Sequence, residues 1–277
     1  MPGTMDIHTA RALLAWQIEL GADAPVGDAP VDRYALGDAA VRAAAVSATT
    51  APDSAPDSAP NQSAQRDSVP VPMAEPVAEA HAAARGAGDL GALAAALAAY
   101  RHCDLRHGAR NCVFADGMPG ARVMVIGEAP GRDEDRQGRP FVGRAGRLLD
   151  RMLAAIGLSR SAADAAQAVY ITNILPWRPP ENRRPTAEEC AMVLPFVERH
   201  IALADPEVLV LMGNTPMQAL LGETGILRLR GQWREVLGRP ALPMTHPAYL
   251  LRTPAAKRAA WEDLLALAAR LDGSPGP

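Results

Sequence analysis

The sequence predicts an α/β fold: a doubly wound, mostly parallel four-stranded sheet with helices on both faces. Three observations predict it. From Arg122 onward, short apolar runs alternate with stretches of helical spacing, joined by short connections. The first of them, Val123 to Ile126, is apolar throughout rather than at every second residue, as in a buried parallel strand. Each run then ends in a turn or loop carrying polar residues, which is where open α/β sheets place their ligand sites.

The first run, Val123-Met124-Val125-Ile126, gives a strand over 122–126, and Gly127-Glu128-Ala129-Pro130-Gly131 makes a sharp turn at its carboxyl end. A helix follows over 144–156. A strand over 168–173 leads through a Pro-rich loop to a helix over 186–203. A strand over 207–212 leads to a helix over 214–221, and a last strand near 241–244 leads through a His-Pro loop to a helix over 254–271. Upstream, residues 75–101 read as helix, broken near Gly86 and Gly88. Residues 5–21 read as one amphipathic helix with Ile7, Ala10, Leu13, Leu14, Ile18 and Leu20 near one stripe. Between them, 46–76 is rich in Ala, Pro, Ser and Asp and includes the near-repeat Ala51-Pro52-Asp53-Ser54-Ala55-Pro56-Asp57-Ser58. Such a stretch buries too little apolar surface to offset chain entropy, so it is expected to be a disordered linker. The expected division is a helical segment over 1–45, the linker over 46–76 and a folded domain over 77–277.

The chain of 277 residues suffices for one ordinary domain with added segments. It holds no run of about eighteen apolar residues, so no transmembrane helix is expected. Met1 to Glu19 lacks a basic start followed by an apolar core, so no secretory signal is expected. Three cysteines cannot all pair, which suits a reducing cytoplasm. The net charge of −3 hides an asymmetry: residues 100–277 hold 23 Lys and Arg against 19 Asp and Glu, while residues 1–99 hold 5 against 12. A domain near +4 behind an appendage near −7 suits binding to nucleic acid, although +4 is also ordinary for a soluble domain.

Four segments carry the chemistry, all at carboxyl ends of expected strands and so on one edge of the sheet. The first is Gly127-Glu128-Ala129-Pro130-Gly131, continued by Asp133-Glu134-Asp135 and Arg139-Pro140-Phe141-Val142-Gly143. It brings a carboxylate, an aromatic ring and approachable backbone, which suit a flat polar ring with charge developing beside it. The second is Tyr170-Ile171-Thr172-Asn173 running into Trp177-Arg178-Pro179-Pro180-Glu181-Asn182-Arg183. The third is Val208-Leu209-Val210-Leu211-Met212-Gly213-Asn214, and the fourth His246-Pro247-Ala248-Tyr249-Leu250-Leu251-Arg252. In this order, over roughly residues 100 to 271, they resemble the uracil-DNA glycosylase superfamily, and most of all its bacterial family-4 type.

The resemblance implies a monofunctional glycosylase that hydrolyses the bond between uracil and deoxyribose in DNA, the first step of base excision repair. Its partner would be uracil-containing DNA, single- or double-stranded; a monomer with no membrane association is expected. A carboxamide at Asn173 pairs with O4 and N3–H of uracil and meets the amino group of cytosine wrongly. Phe141 is one of three Phe in the chain and would form the floor under a flipped base. Gly127 and Gly131 allow close approach of backbone to the base. His246, neutral or protonated, would donate to uracil O2 as charge builds there. Glu128 is the nearest carboxylate for the water and the sugar cation, since Ala129 stands where the best-known branch has an aspartate. Glu134 matches the position that crowds the C5 face and excludes the thymine methyl. Leu250 and its neighbours would fill the gap left by the flipped base, and Arg178, Arg183 and Arg252 would contact phosphates. Each of these residues also has a plainer reading: a cap at Asn173, a turn-stabilising bond at Glu128, core packing at Phe141 and Leu250, surface charge at the arginines.

The resemblance fails at one feature. Family-4 enzymes carry an iron-sulfur cluster on four cysteines. Cys103, ahead of Asp104-Leu105, matches the second; Tyr100, Trp177 and Val193 stand at the other three, and Cys112 and Cys190 match none. No cluster and no metal are therefore expected. No histidine lies near Asn182-Arg183-Arg184-Pro185, which argues against the branch trapped covalently on abasic DNA. No lysine lies in the four motifs, so lyase chemistry is not expected. A non-enzymatic DNA- or damaged-base-binding member of the same fold is the alternative; a small-molecule nucleoside hydrolase is disfavoured by the lack of an aspartate cluster.

Overall fold

In the computed structural model, residues 74–273 are described; the expected helix over 5–21, the segment 1–45 and all but the end of the expected linker lie outside them. The strands are β1 (Asp116–Gly117), β2 (Val123–Gly127), β3 (Val169–Asn173), β4 (Val208–Met212), β5 (Arg234–Val236) and β6 (Arg239–Met244). They form one sheet in the order β1-β3-β2-β4-β6-β5. The four expected strands are its parallel centre. Two antiparallel edges, β1 on β3 and β5 on β6, extend it to six. These edges have two and three residues, too few for any apolar periodicity to register.

The helices are α1 (Ala74–Gly86), α2 (Leu90–Ala99), α3 (Leu105–Gly108), α4 (Arg132–Gln137), α5 (Arg144–Ala154), α6 (Ala187–Ala204), α7 (Asn214–Leu221), α8 (Ile226–Leu229), α9 (Pro247–Arg252) and α10 (Lys257–Leu271). None is long and apolar enough to cross a membrane, among the described residues. Alternation along each strand feeds two cores. Val123 and Val125 pack with Leu149 and Leu153 of α5 and Leu264 and Leu267 of α10. Met124 and Ile126 pack on the other face with Leu93 and Leu97 of α2 and Phe196 and Ile201 of α6. Every residue of β2, β3 and β4 is buried, including the polar Thr172 and Asn173 that end β3.

The break near Gly86 and Gly88 separates α1 from α2, where Asp89 caps α2 by accepting the Ala92 N–H at 2.8 Å. Helix α1 begins at Ala74, so the last three residues of the expected linker are helical. Ala80 and Leu93 are wholly buried in the core shared with α6, and Arg199 of α6 donates twice to the Ala87 carbonyl, at 2.8 and 3.1 Å. Two further helices interrupt expected loops. The acidic stretch after Gly131 is α4, and the stretch after His246 is α9, opened by Pro247 in its first turn. Both have six residues, less than two turns, so no repeat marks them.

Candidate active site

Parallel pairing places Gly127 of β2 beside Asn173 of β3 at the carboxyl edge of the sheet. Gly213 follows β4 and donates to the Met244 carbonyl at 2.9 Å, which brings the end of β6 and His246 to the same edge. The space before Gly127 is defined by what a side chain there would strike. A β-carbon would meet the Asn173 carboxamide oxygen and, at 2.5 and 2.6 Å, the Phe141 ring. Phe141 in turn stacks on His246, with centroids 5.4 Å apart and planes 28° from parallel. Three of the expected residues, from three separate segments, therefore gather beside one glycine, Gly127.

Asn173 is buried, yet its Nδ2 has no hydrogen-bond partner in the protein. A buried donor left unpaired costs about 1–3 kcal/mol, so Asn173 calls for a partner that the protein does not itself supply. His246 is held well below its ordinary range, at about 4: burial dominates, Arg252 adds to it, and Glu134 opposes it. That direction favours the neutral imidazole at physiological pH. Its Nδ1 accepts the Ala248 N–H at 3.1 Å as the cap of α9. The proton must then sit on Nε2, which is left as a donor.

Phe141 reaches this site through strained backbone. Its φ is 53°, the left-handed region that costs a bulky residue roughly 1–3 kcal/mol. Two braces hold it. The Glu134 carboxylate accepts from the backbone of Val142 at 2.9 Å, Gly143 at 2.8 Å and Gly131 at 3.1 Å, tying the turn after β2 to the loop that carries the ring. Arg160 donates to the carbonyls of Pro140 at 2.8 Å and Phe141 at 2.9 Å. Gly146 completes the fit, since a β-carbon there would collide with the Phe141 carbonyl. Glu134 is thus a backbone clamp within electrostatic reach of His246, not a solvated loop residue. Gly131 serves the same clamp as the cap of α4.

The other expected residues fare differently. Glu128 accepts a short bond of 2.5 Å from the Thr215 hydroxyl, in the first turn of α7. Arg178 is folded onto Asn182 at 2.7 Å, and Arg183 grips Glu189 of α6 at 2.6 and 2.9 Å, so both are engaged by intramolecular bonds. Arg252 is exposed at the end of α9. Leu250 is corrected: at 1% exposure it packs with Leu148 and Ala260 and cannot act as a wedge from this position. Its neighbours Tyr249 and Leu251 are the partly exposed apolar groups of α9. Sequence reasoning missed Thr215, Arg160 and Gly146. Thr215 stood one residue beyond the third motif, on the same sheet edge; nothing local marks the other two.

A model of the uracil DNA glycosylase superfamily matches residues 114–265, more than half of the chain. The chain belongs to this superfamily. It is 39% identical over 153 residues to the type-4 uracil-DNA glycosylase of Thermotoga maritima, covering 54% of this chain and 77% of that protein. It is 41% identical over 163 residues to the type-4 enzyme of Archaeoglobus fulgidus, covering 56% and 79%. The type-5 uracil-DNA glycosylase of Thermus thermophilus is 34% identical over 119 residues, 40% of this chain and 54% of that protein.

The iron-sulfur cluster of the superfamily's type-4 branch does not fit the donors present. Tyr100, Trp177 and Val193 are buried with Cys103 in one apolar core. Tyr100 lies edge-on to Phe196 with centroids 5.3 Å apart, and its hydroxyl donates to the Pro76 carbonyl at 2.9 Å. Burial raises the thiols of Cys103, Cys112 and Cys190 to about 11. No three His, Cys, Asp or Glu converge as a metal site, among the described residues.

Proposed function

We propose that this protein is a monofunctional uracil-DNA glycosylase working without an iron-sulfur cluster. The observation that carries it is the unpartnered, buried Asn173 Nδ2 beside Gly127 and the Phe141–His246 stack. A flipped uracil lies on Phe141. Its N3–H donates to Asn173 Oδ1, and Asn173 Nδ2 donates to its O4; cytosine offers the opposite pattern at both atoms. As the bond from C1′ to N1 breaks, its electrons pass to the base and negative charge gathers on O2. The Nε2–H of neutral His246 donates there. A neutral donor is suited to this task, since it stabilises the anion without having to surrender its proton. Water then joins C1′, its oxygen to the sugar and a proton to solvent or uracil, leaving an abasic site. Glu128, fixed by Thr215, is assigned to that water and to the sugar cation. The only lysine of the chain, Lys257, lies on α10 outside the four motifs, which supports hydrolysis without lyase chemistry.

Exposed Arg252, with Arg178 and Arg183 of the Pro-rich loop, is assigned to phosphates, and the partly exposed Tyr249 and Leu251 take over the gap-filling role expected of Leu250. A monomer in the reducing cytoplasm completes the proposal, supported by three unpaired cysteines. The test is incubation with uracil-containing single-stranded and duplex DNA followed by hot alkali. Strand breaks appearing only after alkali are expected. Tight binding with no breaks on either substrate would turn the reading to the non-enzymatic alternative.

A further inference from the structure

We propose that Arg160 is a positioning residue of the glycosylase reaction, setting the plane of the base-stacking ring through the backbone of Phe141. The inference rests on the stacking role given to Phe141 above. Arg160 lies between α5 and β3, nineteen residues beyond the ring it serves, and only 14% of its side chain is exposed. Its guanidinium is fully committed. Nη1 and Nη2 meet the successive carbonyls of Pro140 and Phe141, while Nη1 also pairs with Asp116 of β1 at 3.0 Å and Nε with Asp150 of α5 at 2.8 Å. The loop is thus anchored to both the sheet edge and the helix that follows it.

The two sides of the loop are held by opposite charges. Glu134 takes the N–H groups of Val142 and Gly143; Arg160 takes the carbonyls of Pro140 and Phe141. Between them the peptide dipoles are fixed in the orientation that a φ of 53° at Phe141 requires. Without Arg160, two carbonyls lose their donors and the residue relaxes toward ordinary backbone, which swings the ring out of line with Asn173 and His246. A lysine cannot substitute, because an ammonium lacks the planar fork that meets two carbonyls and two carboxylates together.

The test is a double-mutant cycle in the full chain. Single-turnover rates on uracil-containing single-stranded DNA are measured for wild type, Arg160→Gln, Phe141→Ala and the double variant, each confirmed folded by circular dichroism. Misplacing the ring should cost Arg160→Gln roughly 10–10²-fold. In the Phe141→Ala background the same substitution should cost less than about two-fold, because its effect passes through the ring. A purely structural role predicts the same loss in both backgrounds, and that outcome, or a wild-type rate in Arg160→Gln, overturns the proposal. If Arg160→Gln does not fold, Arg160→Lys keeps the charge for Asp116 and Asp150 and is read through the same cycle. An inactive wild type, or a fully active Phe141→Ala, would instead defeat the stacking reading itself.

Discussion

His246 shows how one residue serves two masters. Its Nδ1 starts α9, and that bond fixes the tautomer that leaves Nε2 as the donor. Removal of the side chain should therefore lower the single-turnover rate by roughly 10²–10³-fold, the range for losing one such donor. Affinity for abasic-site duplex should change little, because the charge it meets exists fully only in the transition state. Since burial holds it near 4, the rate should show no inflection near pH 6.5; a rate falling as pH rises through that value would mean that an imidazolium does the work. Asn173→Asp should weaken discrimination for uracil, since a carboxylate loses the donor to O4. The placement of both was legible in the sequence, since Asn173 ends an expected strand and His246 stands before Pro247 just beyond another. Leu250 was not, because composition cannot separate a leucine held out to DNA from one packed inward. The structure turns its prediction around. Leu250→Ala should destabilise the fold by about 2–5 kcal/mol in chemical denaturation, and slow single-stranded and duplex substrates alike.

At the scale of elements, the strands were legible because each is apolar on both faces, and the long helices because α5, α6 and α10 keep a repeat over several turns. The short helices α4 and α9 and the edge strands β1 and β5 were not, since none is long enough to show a period. Arg160 was invisible for another reason: its bonds join residues distant in the chain, and no local property announces them. The same holds for the attachment of α1. Its alanines look featureless in sequence, yet Ala80 and Ala84 are buried against α6, and Arg199 closes the turn to α2. A chain truncated to begin at residue 74 should fold and keep its glycosylase rate. One beginning at residue 89, lacking α1, should lose the partners of α6 and melt well below it, as differential scanning calorimetry would report.

For the whole molecule, the response to acid follows from another histidine, the buried His200. His200 stacks on Phe114, with centroids 4.2 Å apart, and shares a 3.0 Å hydrogen bond with the Tyr170 hydroxyl. Burial lowers it to about 3. The unfolded chain takes up this proton below about pH 6.5, while the folded chain resists until about 3. The stability it lends is therefore intact above 6.5 and lost as pH falls through that interval. His200→Gln keeps a partner for Tyr170 without titrating. The stability difference between it and wild type should change by about 1.4 kcal/mol per pH unit across this window and be flat above it.

Tyr100, Trp177 and Val193 have a consequence outside the chemistry of DNA. An interior made of side chains is finished when the ribosome releases it. On the proposed reading without a cluster, the protein would wait for no iron delivery and no assembly machinery, and oxidants would find no inorganic centre there to dismantle. Cells starved of iron should then yield this protein at undiminished specific activity, and a strong chelator should leave that activity where it was.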